Sequence, residues 1–142
     1  VRAGGALRVA ARRPEQAAEL CAQLERALPD AAARPVPVPW GSLGEESRAA
    51  DVVVNGTSIG LAGQEPALPG VAFRAGQVAL DMVYGDTAFA RDAAAAAGAR
   101  LVRGEQLLVR QGAHAFTIWT GRPAPEAVMV AALQRARETT PR

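Results

Sequence analysis

The chain has 142 residues, 49% hydrophobic and 21% charged, which predicts one globular domain rather than a disordered chain. All 16 basic residues are arginine, which excludes a lysine nucleophile or base supplied by this chain. The net charge of +2, without a long basic run, argues against a nucleic-acid partner. A single cysteine, Cys21, and a single histidine rule out an internal disulfide and a zinc cluster. We therefore expect no metal site. No apolar run is long enough to span a membrane, so we also expect no membrane contact, and the single cysteine favours a cytoplasmic location.

Hydrophobic spacing predicts strands that alternate with helices along the chain. The predicted strands are 7–11, 36–38, 51–55, 77–81 and 100–102. The predicted helices are 14–28, 42–49, 87–97 (followed by Gly98), 105–119 and 124–138. The β-branched run DVVVN at 51–55 is typical of a buried parallel strand. The alternation predicts the α/β class, with a doubly wound, mostly parallel Rossmann-like sheet, helices on both faces and two C-terminal helices.

The chain begins VRAGGA, and too little sequence precedes the glycines for a phosphate-binding loop, which must follow a strand. We interpret residues 1–3 as the last turn of a helix, with Gly4 and Gly5 as its exit. The central first strand of a dinucleotide fold and its glycine-rich loop would then be absent. Strands 7–11 and 52–55 would each lack that neighbour. We therefore expect residues 1–142 to be a partial dinucleotide-binding domain of a longer protein, without an N-terminal substrate domain.

Arg12 and Arg13 follow the first predicted strand at the start of a helix. In a dinucleotide fold an acidic residue here binds the 2′-hydroxyl of NAD, whereas an arginine accommodates the 2′-phosphate of NADP. A guanidinium binds phosphate through a planar fork, and the helix N-terminus adds positive potential. From spacing alone, a pair of solvated surface arginines is the simpler interpretation.

Polar residues also lie at the ends of the predicted strands 51–55 and 77–81. The segment NGTSIG begins at Asn55, and its glycines allow a ligand to approach the backbone; an ordinary Asn/Gly turn is the alternative. The segment DMVY begins at Asp81, for which we favour a turn or capping role. Met82 could equally face a ligand or pack in the core, and Tyr84 offers a phenol suited to hydroxyl or carboxylate recognition.

Residues 103–121, RGEQLLVRQGAHAFTIWTG, carry the most specific pattern. Simple amphipathic packing does not require a glutamine, a histidine, an aromatic pair and a terminal glycine in that order. The stretch resembles the end of the cofactor domain of the shikimate dehydrogenase family, with the pattern G-x-x-x-L-x-x-Q-x-x-x-x-F-x-x-W-x-G. We expect a structural role for His114 and core positions for Phe116, Ile118 and Trp119.

The resemblance extends from about residue 1 to about 138. Arg12 matches the arginine of a family Asn-Arg-Thr turn, although Ala11 and Arg13 differ from it. The loop after Asn55 resembles N-A-T-x-x-G-M, and DMVY resembles D-x-x-Y. The resemblance implies NADP as cofactor, bound by Arg12, Arg13, Asn55, Thr57, Ser58, Met82 and Gly104. It also implies that Tyr84 and Gln111 contact the substrate.

The implied activity is reversible NADP-dependent reduction of 3-dehydroshikimate to shikimate, in aromatic amino-acid biosynthesis. The family takes a lysine and an aspartate from its substrate domain as proton-transfer groups, so no catalytic acid or base is assigned to this chain. We expect these 142 residues alone to be inactive, and a homodimer of the intact protein stays open. The alternatives are a quinate or aminoshikimate dehydrogenase relative and a non-catalytic nucleotide-binding remnant.

Overall fold

A computed structural model describes residues 5–61 and 68–139 of the chain, with side chains to residue 136. Over these residues every predicted element is present, with ends shifted by at most a few residues. The strands are β1 (Arg8–Ala10), β2 (Val36–Val38), β3 (Val52–Asn55), β4 (Val78–Asp81) and β5 (Arg100–Arg103). The helices are α1 (Pro14–Ala27), α2 (Leu43–Ala49), α3 (Ala88–Ala95), α4 (Gly104–Thr120) and α5 (Glu126–Thr139), and a 3₁₀ turn (Trp40–Ser42) precedes α2. The interpretation of residues 1–4 as a helix end lies outside the described residues.

The described residues fall into two compact units, of which the first comprises 5–50 and Leu68–Ala72. Here β1 pairs with β2 in parallel, from Arg8 beside Val36 to Ala10 beside Val38. Helix α1 begins at a proline, whose missing N–H is not needed in the first turn. Its buried residues, Ala17 and Cys21, are four positions apart and therefore share one face.

The second unit comprises 51–61 and 73–139. Its sheet has the order β3-β4-β5, with all pairs parallel. The core is built from small side chains on β4, α3 and α4 and one aromatic contact: the Phe73 and Phe89 rings meet edge to face at 5.0 Å between centroids. Thr87 caps α3 by accepting a hydrogen bond from the N–H of Ala90 at 3.0 Å.

These pairings confirm the α/β class with parallel strands. Within the described residues, β1 and β3 each pair with one strand only. In the same part of the chain, no helix combines the length and the apolar character that crossing a membrane requires.

Two expectations about burial are wrong. Strand β3 is not buried along its length: Val52 and Val54, two positions apart and so on one face, are 57% and 51% exposed, whereas Asn55 at its end is buried. Ile118 and Trp119 are not core residues: they are 67% and 83% exposed, because α4 turns its Ala113 side inward instead. Phe116 is half-buried.

Candidate functional site

The carboxyl ends of the three strands in the second unit lie side by side. Asn55, Asp81 and Arg103 are the last residues of β3, β4 and β5, and the register pairs Asn55 with Asp81 and Asp81 with Arg103. Because the strands are parallel, the loops after β3 and β4 leave the sheet from this one edge, and α4, which follows β5 directly, begins there too. Ligands of open parallel α/β sheets bind outside this edge.

Asp81 organises the edge and is 1% exposed. Its Oδ1 accepts hydrogen bonds from Asn55 Nδ2 at 3.0 Å and from the N–H of Val83 at 3.1 Å. Its Oδ2 accepts one from the hydroxyl of Thr87. The carboxylate therefore ties the end of β3 to the start of α3, which confirms the predicted turn or capping role.

Asn55 uses both ends of its buried amide within the protein. Besides the bond to Asp81, Nδ2 donates to the carbonyl of Ile59 at 3.5 Å. Its Oδ1 accepts from the hydroxyl of Thr57 at 2.7 Å and from the N–H of Thr57 at 3.1 Å. The amide thus shapes the loop that follows β3, in which Thr57 is half-buried and Ser58 is exposed.

Met82 and Tyr84, in the loop after β4, are 49% and 54% exposed. Core packing of Met82, one of its two sequence interpretations, is therefore wrong. Gly104, the first residue of α4, is buried against this loop. A Cβ on Gly104 would lie 2.7 Å from the carbonyl oxygen of Met82 and 3.0 Å from the Tyr84 ring. The close approach of α4 to the loop requires a glycine there, a reason that the sequence did not reveal.

Two residues that the sequence analysis did not single out hold Gly85. Its N–H donates to Glu105 Oε1 at 3.0 Å, and its carbonyl accepts from Arg103 Nη1 at 3.1 Å. Gly85 has φ of +97°, in the left-handed region that favours glycine. An acidic residue in the first turn of a helix is usually a surface residue, so only the 6% exposure of Glu105 marks it as unusual.

Gln111 and His114 lie further along α4, and both are exposed. Gln111 is about two helical turns after Gly104, which returns it to a similar side of the helix. Its exposed amide has both donor and acceptor groups available to a ligand.

The arginine turn belongs to the first unit. Arg12 and Arg13 are both exposed and follow the carboxyl end of β1. Arg13 immediately precedes the first turn of α1. Two guanidinium groups at the N-terminus of a 14-residue helix suit a phosphate.

Cys21, on the inner face of α1, is the chain's only thiol. Burial, and secondarily the carboxylate of Glu25 one turn later, raise its pKa above the ordinary 9.0. The thiol is therefore protonated and unreactive at neutral pH.

The parallel strands and the helices that alternate with them define a Rossmann-like α/β protein. The sequence model of the Shikimate 5'-dehydrogenase C-terminal domain matches residues 104–134. Shikimate dehydrogenase (NADP(+)) of Anaeromyxobacter sp. strain K is 63% identical over 140 residues, which is 97% of this chain and 48% of that protein.

Solved structures show the same relationship. Shikimate 5-dehydrogenase of Thermus thermophilus, in complex with shikimate, has a TM-score of 0.70 and 32% identity over 94% of this chain and 46% of its own. Quinate dehydrogenase of Corynebacterium glutamicum, in complex with NAD, has a TM-score of 0.69 and 28% identity over 87% and 44%. The chain belongs, over the part that is matched, to the shikimate dehydrogenase family. It spans about half the length of the curated relatives it matches.

Proposed function

We propose that this chain forms the NADP-binding part of a shikimate dehydrogenase, which reversibly reduces 3-dehydroshikimate to shikimate in aromatic amino-acid biosynthesis. The observation that carries the proposal is the 63% identity, across 97% of the chain, to a relative named shikimate dehydrogenase (NADP(+)). The sheet edge at Asn55, Asp81 and Arg103 supports it, because this is where a parallel α/β sheet receives a nucleotide.

NADP, when bound, supplies a nicotinamide ring that exchanges a hydride with the substrate. We assign its 2′-phosphate to Arg12 and Arg13, whose exposed cations precede α1. We assign the nicotinamide end to Met82, Ser58, Thr57 and the backbone at Gly104. Asn55 has its amide engaged within the protein, so its role there is to shape the loop that carries Thr57 and Ser58.

Substrate contacts are assigned to Tyr84 and Gln111, whose exposed polar groups suit the hydroxyls and carboxylate of a cyclic polyol. Reduction of a carbonyl also requires a proton donor near the developing alkoxide. This chain contains no lysine, and Asp81 already accepts three hydrogen bonds within the protein. We therefore assign the proton donor to residues outside these 142, so that the 142-residue chain alone does not turn over shikimate.

The test has two measurements on the purified chain. NADP⁺ titration followed by fluorescence or calorimetry should give saturable binding, and shikimate with NADP⁺ should give no NADPH. Binding of neither NADP⁺ nor NAD⁺ would contradict the nucleotide-binding role. Measurable shikimate oxidation would contradict the assignment of the proton donor to residues outside the chain.

The arginine turn gives a sharper test. Arg12→Ala should raise the Kd for NADP⁺ about 10- to 100-fold, because a charged hydrogen bond to phosphate contributes about 1.5–3 kcal/mol. The Kd for NAD⁺ should change less than about twofold, since it has no 2′-phosphate. Arg34→Ala is the matched control, because exposed Arg34 precedes β2 and thus lies at the opposite end of that sheet. An unchanged ratio of the two affinities in Arg12→Ala would refute the role.

A second candidate function is quinate dehydrogenase, favoured by the similarity to the quinate dehydrogenase of Corynebacterium glutamicum. A panel of shikimate, aminoshikimate and quinate, tested with both nucleotides on the intact protein, separates these activities. A non-catalytic nucleotide-binding protein would bind NADP⁺ yet leave the whole panel unreacted. We further propose a cytoplasmic location, which the unpaired Cys21 thiol supports, and a homodimer of the intact protein, which light scattering would test.

A further inference from the structure

The backbone around Tyr84 is held on both sides. Before it, the N–H of Val83 donates to Asp81, and the Val83 side chain is buried. After it, the backbone of Gly85 forms hydrogen bonds with Glu105 and Arg103. Between these two anchors the Tyr84 ring remains 54% exposed.

Glu105 and Arg103 act on Gly85 as a pair, which we name the Gly85 clamp. The Gly85 N–H donates to the carboxylate of Glu105, and the guanidinium of Arg103 donates to the Gly85 carbonyl, so both hydrogen bonds are charge-assisted. Glu105 is also the second residue of α4, where the helix dipole stabilises a carboxylate. The clamp therefore fastens the loop after β4 to the start of α4.

The close approach at Gly104 connects the Gly85 clamp to the Tyr84 ring. The place where its Cβ would be lies 2.7 Å from the Met82 carbonyl oxygen and 3.0 Å from the Tyr84 ring. The ring thus lies against the start of the helix whose first turn carries Glu105. Any shift of Gly85 away from α4 would carry the Tyr84 phenol with it.

We propose that Glu105 and Arg103 are positioning residues that fix the Tyr84 phenol for recognition of a hydroxyl- or carboxylate-bearing ring. The substrate role of Tyr84 rests on the proposed function, whereas the clamp itself rests on the geometry above. The two are therefore tested by separate measurements.

Tyr84 is the only tyrosine of the chain, so labelling of tyrosine rings yields one set of NMR signals that reports its position. We expect Glu105→Ala to shift or broaden these signals and to accelerate hydrogen exchange of the Gly85 amide about tenfold or more, because it loses a hydrogen bond to a charged acceptor. Glu105→Gln keeps an acceptor oxygen and should restore the wild-type ring signals. The control Glu45→Ala removes an exposed carboxylate of α2 and should change nothing.

Arg103→Met removes the donor to the Gly85 carbonyl but retains an unbranched aliphatic stem. It should also change the chemical shifts of the Tyr84 ring. It decides the matter if Glu105→Ala does not fold. Unchanged ring signals in a folded Glu105→Ala, or in Arg103→Met when that is the deciding variant, would overturn the proposal. So would a Glu105→Gln variant that behaves like the alanine variant.

In the intact protein, Glu105→Ala should raise the KM for shikimate about tenfold, with the Kd for NADP⁺ within about twofold of wild type. An unchanged KM with displaced Tyr84 signals would overturn the positioning role in recognition. If the wild-type intact protein does not oxidise shikimate at all, the proposed function fails, and the ring signals still decide whether the clamp holds Tyr84.

Discussion

Replacement of Asp81 by alanine should destabilise the second unit by about 3–5 kcal/mol. The carboxylate is 1% exposed and accepts from Asn55, Val83 and Thr87. Its loss leaves three donors without their acceptor, at about 1–3 kcal/mol for each group that stays buried. Part of this loss is offset, because the alanine variant no longer has to bury a charged carboxylate when it folds.

Asp81→Asn separates hydrogen bonding from side-chain volume. Its amide oxygen can still accept from Asn55 and from the N–H of Val83, so only the Thr87 hydroxyl loses its acceptor. We therefore expect a loss of about 1–2 kcal/mol, well below that of the alanine variant.

The assay is urea unfolding followed by circular dichroism, with the slope compared between variants. Asp92→Ala on the exposed side of α3 serves as control and should lie within about 0.5 kcal/mol of wild type. Equal losses for the alanine and asparagine variants, or an alanine loss below about 1 kcal/mol, would refute the reasoning, because the carboxylate would then hold nothing that an amide or a methyl does not.

Three further outcomes follow from the structure. Gly104→Ala should lower stability by about 1–3 kcal/mol in the same urea assay, because a methyl would overlap the Met82 carbonyl, whereas Gly112→Ala, with open space around its Cβ, should stabilise α4 by about 0.5–1 kcal/mol. The raised pKa of Cys21, due to burial and then Glu25, means that the folded state holds this proton more tightly; its contribution is complete below 9.0 and is lost as pH rises through the higher folded pKa. In urea titrations, the free energy of unfolding of wild type should therefore fall relative to that of Cys21→Ala between about pH 8 and about pH 10. A difference that stays constant over this range would contradict the prediction.

Element positions could be predicted from the sequence because their signals are local. Pro14 at the start of α1, Thr87 before α3 and the apolar run of β4 each mark an element within a few residues. The strand-end location of Asn55 and Asp81 followed from the same reasoning, since parallel strands place their carboxyl ends together.

Burial and contacts could not be predicted in the same way. The run VVV at 52–54 looks buried in any sequence, and the exposure of Val52 and Val54 depends on what packs against their face of β3. The need for glycine at Gly104 comes from a backbone 22 residues earlier in the chain, at Met82. The Gly85–Glu105 hydrogen bond spans 20 residues and has no local pattern at all.

The outward position of Trp119 makes the chain its own optical reporter. With 83% of the residue in solvent, its indole emits as it would in water, and any molecule that settles on this part of α4 would shift the emission toward shorter wavelengths. The only other tryptophan, Trp40, belongs to the first unit, so replacing it with phenylalanine leaves a single signal. Association at this helix can then be followed in solution without an added dye.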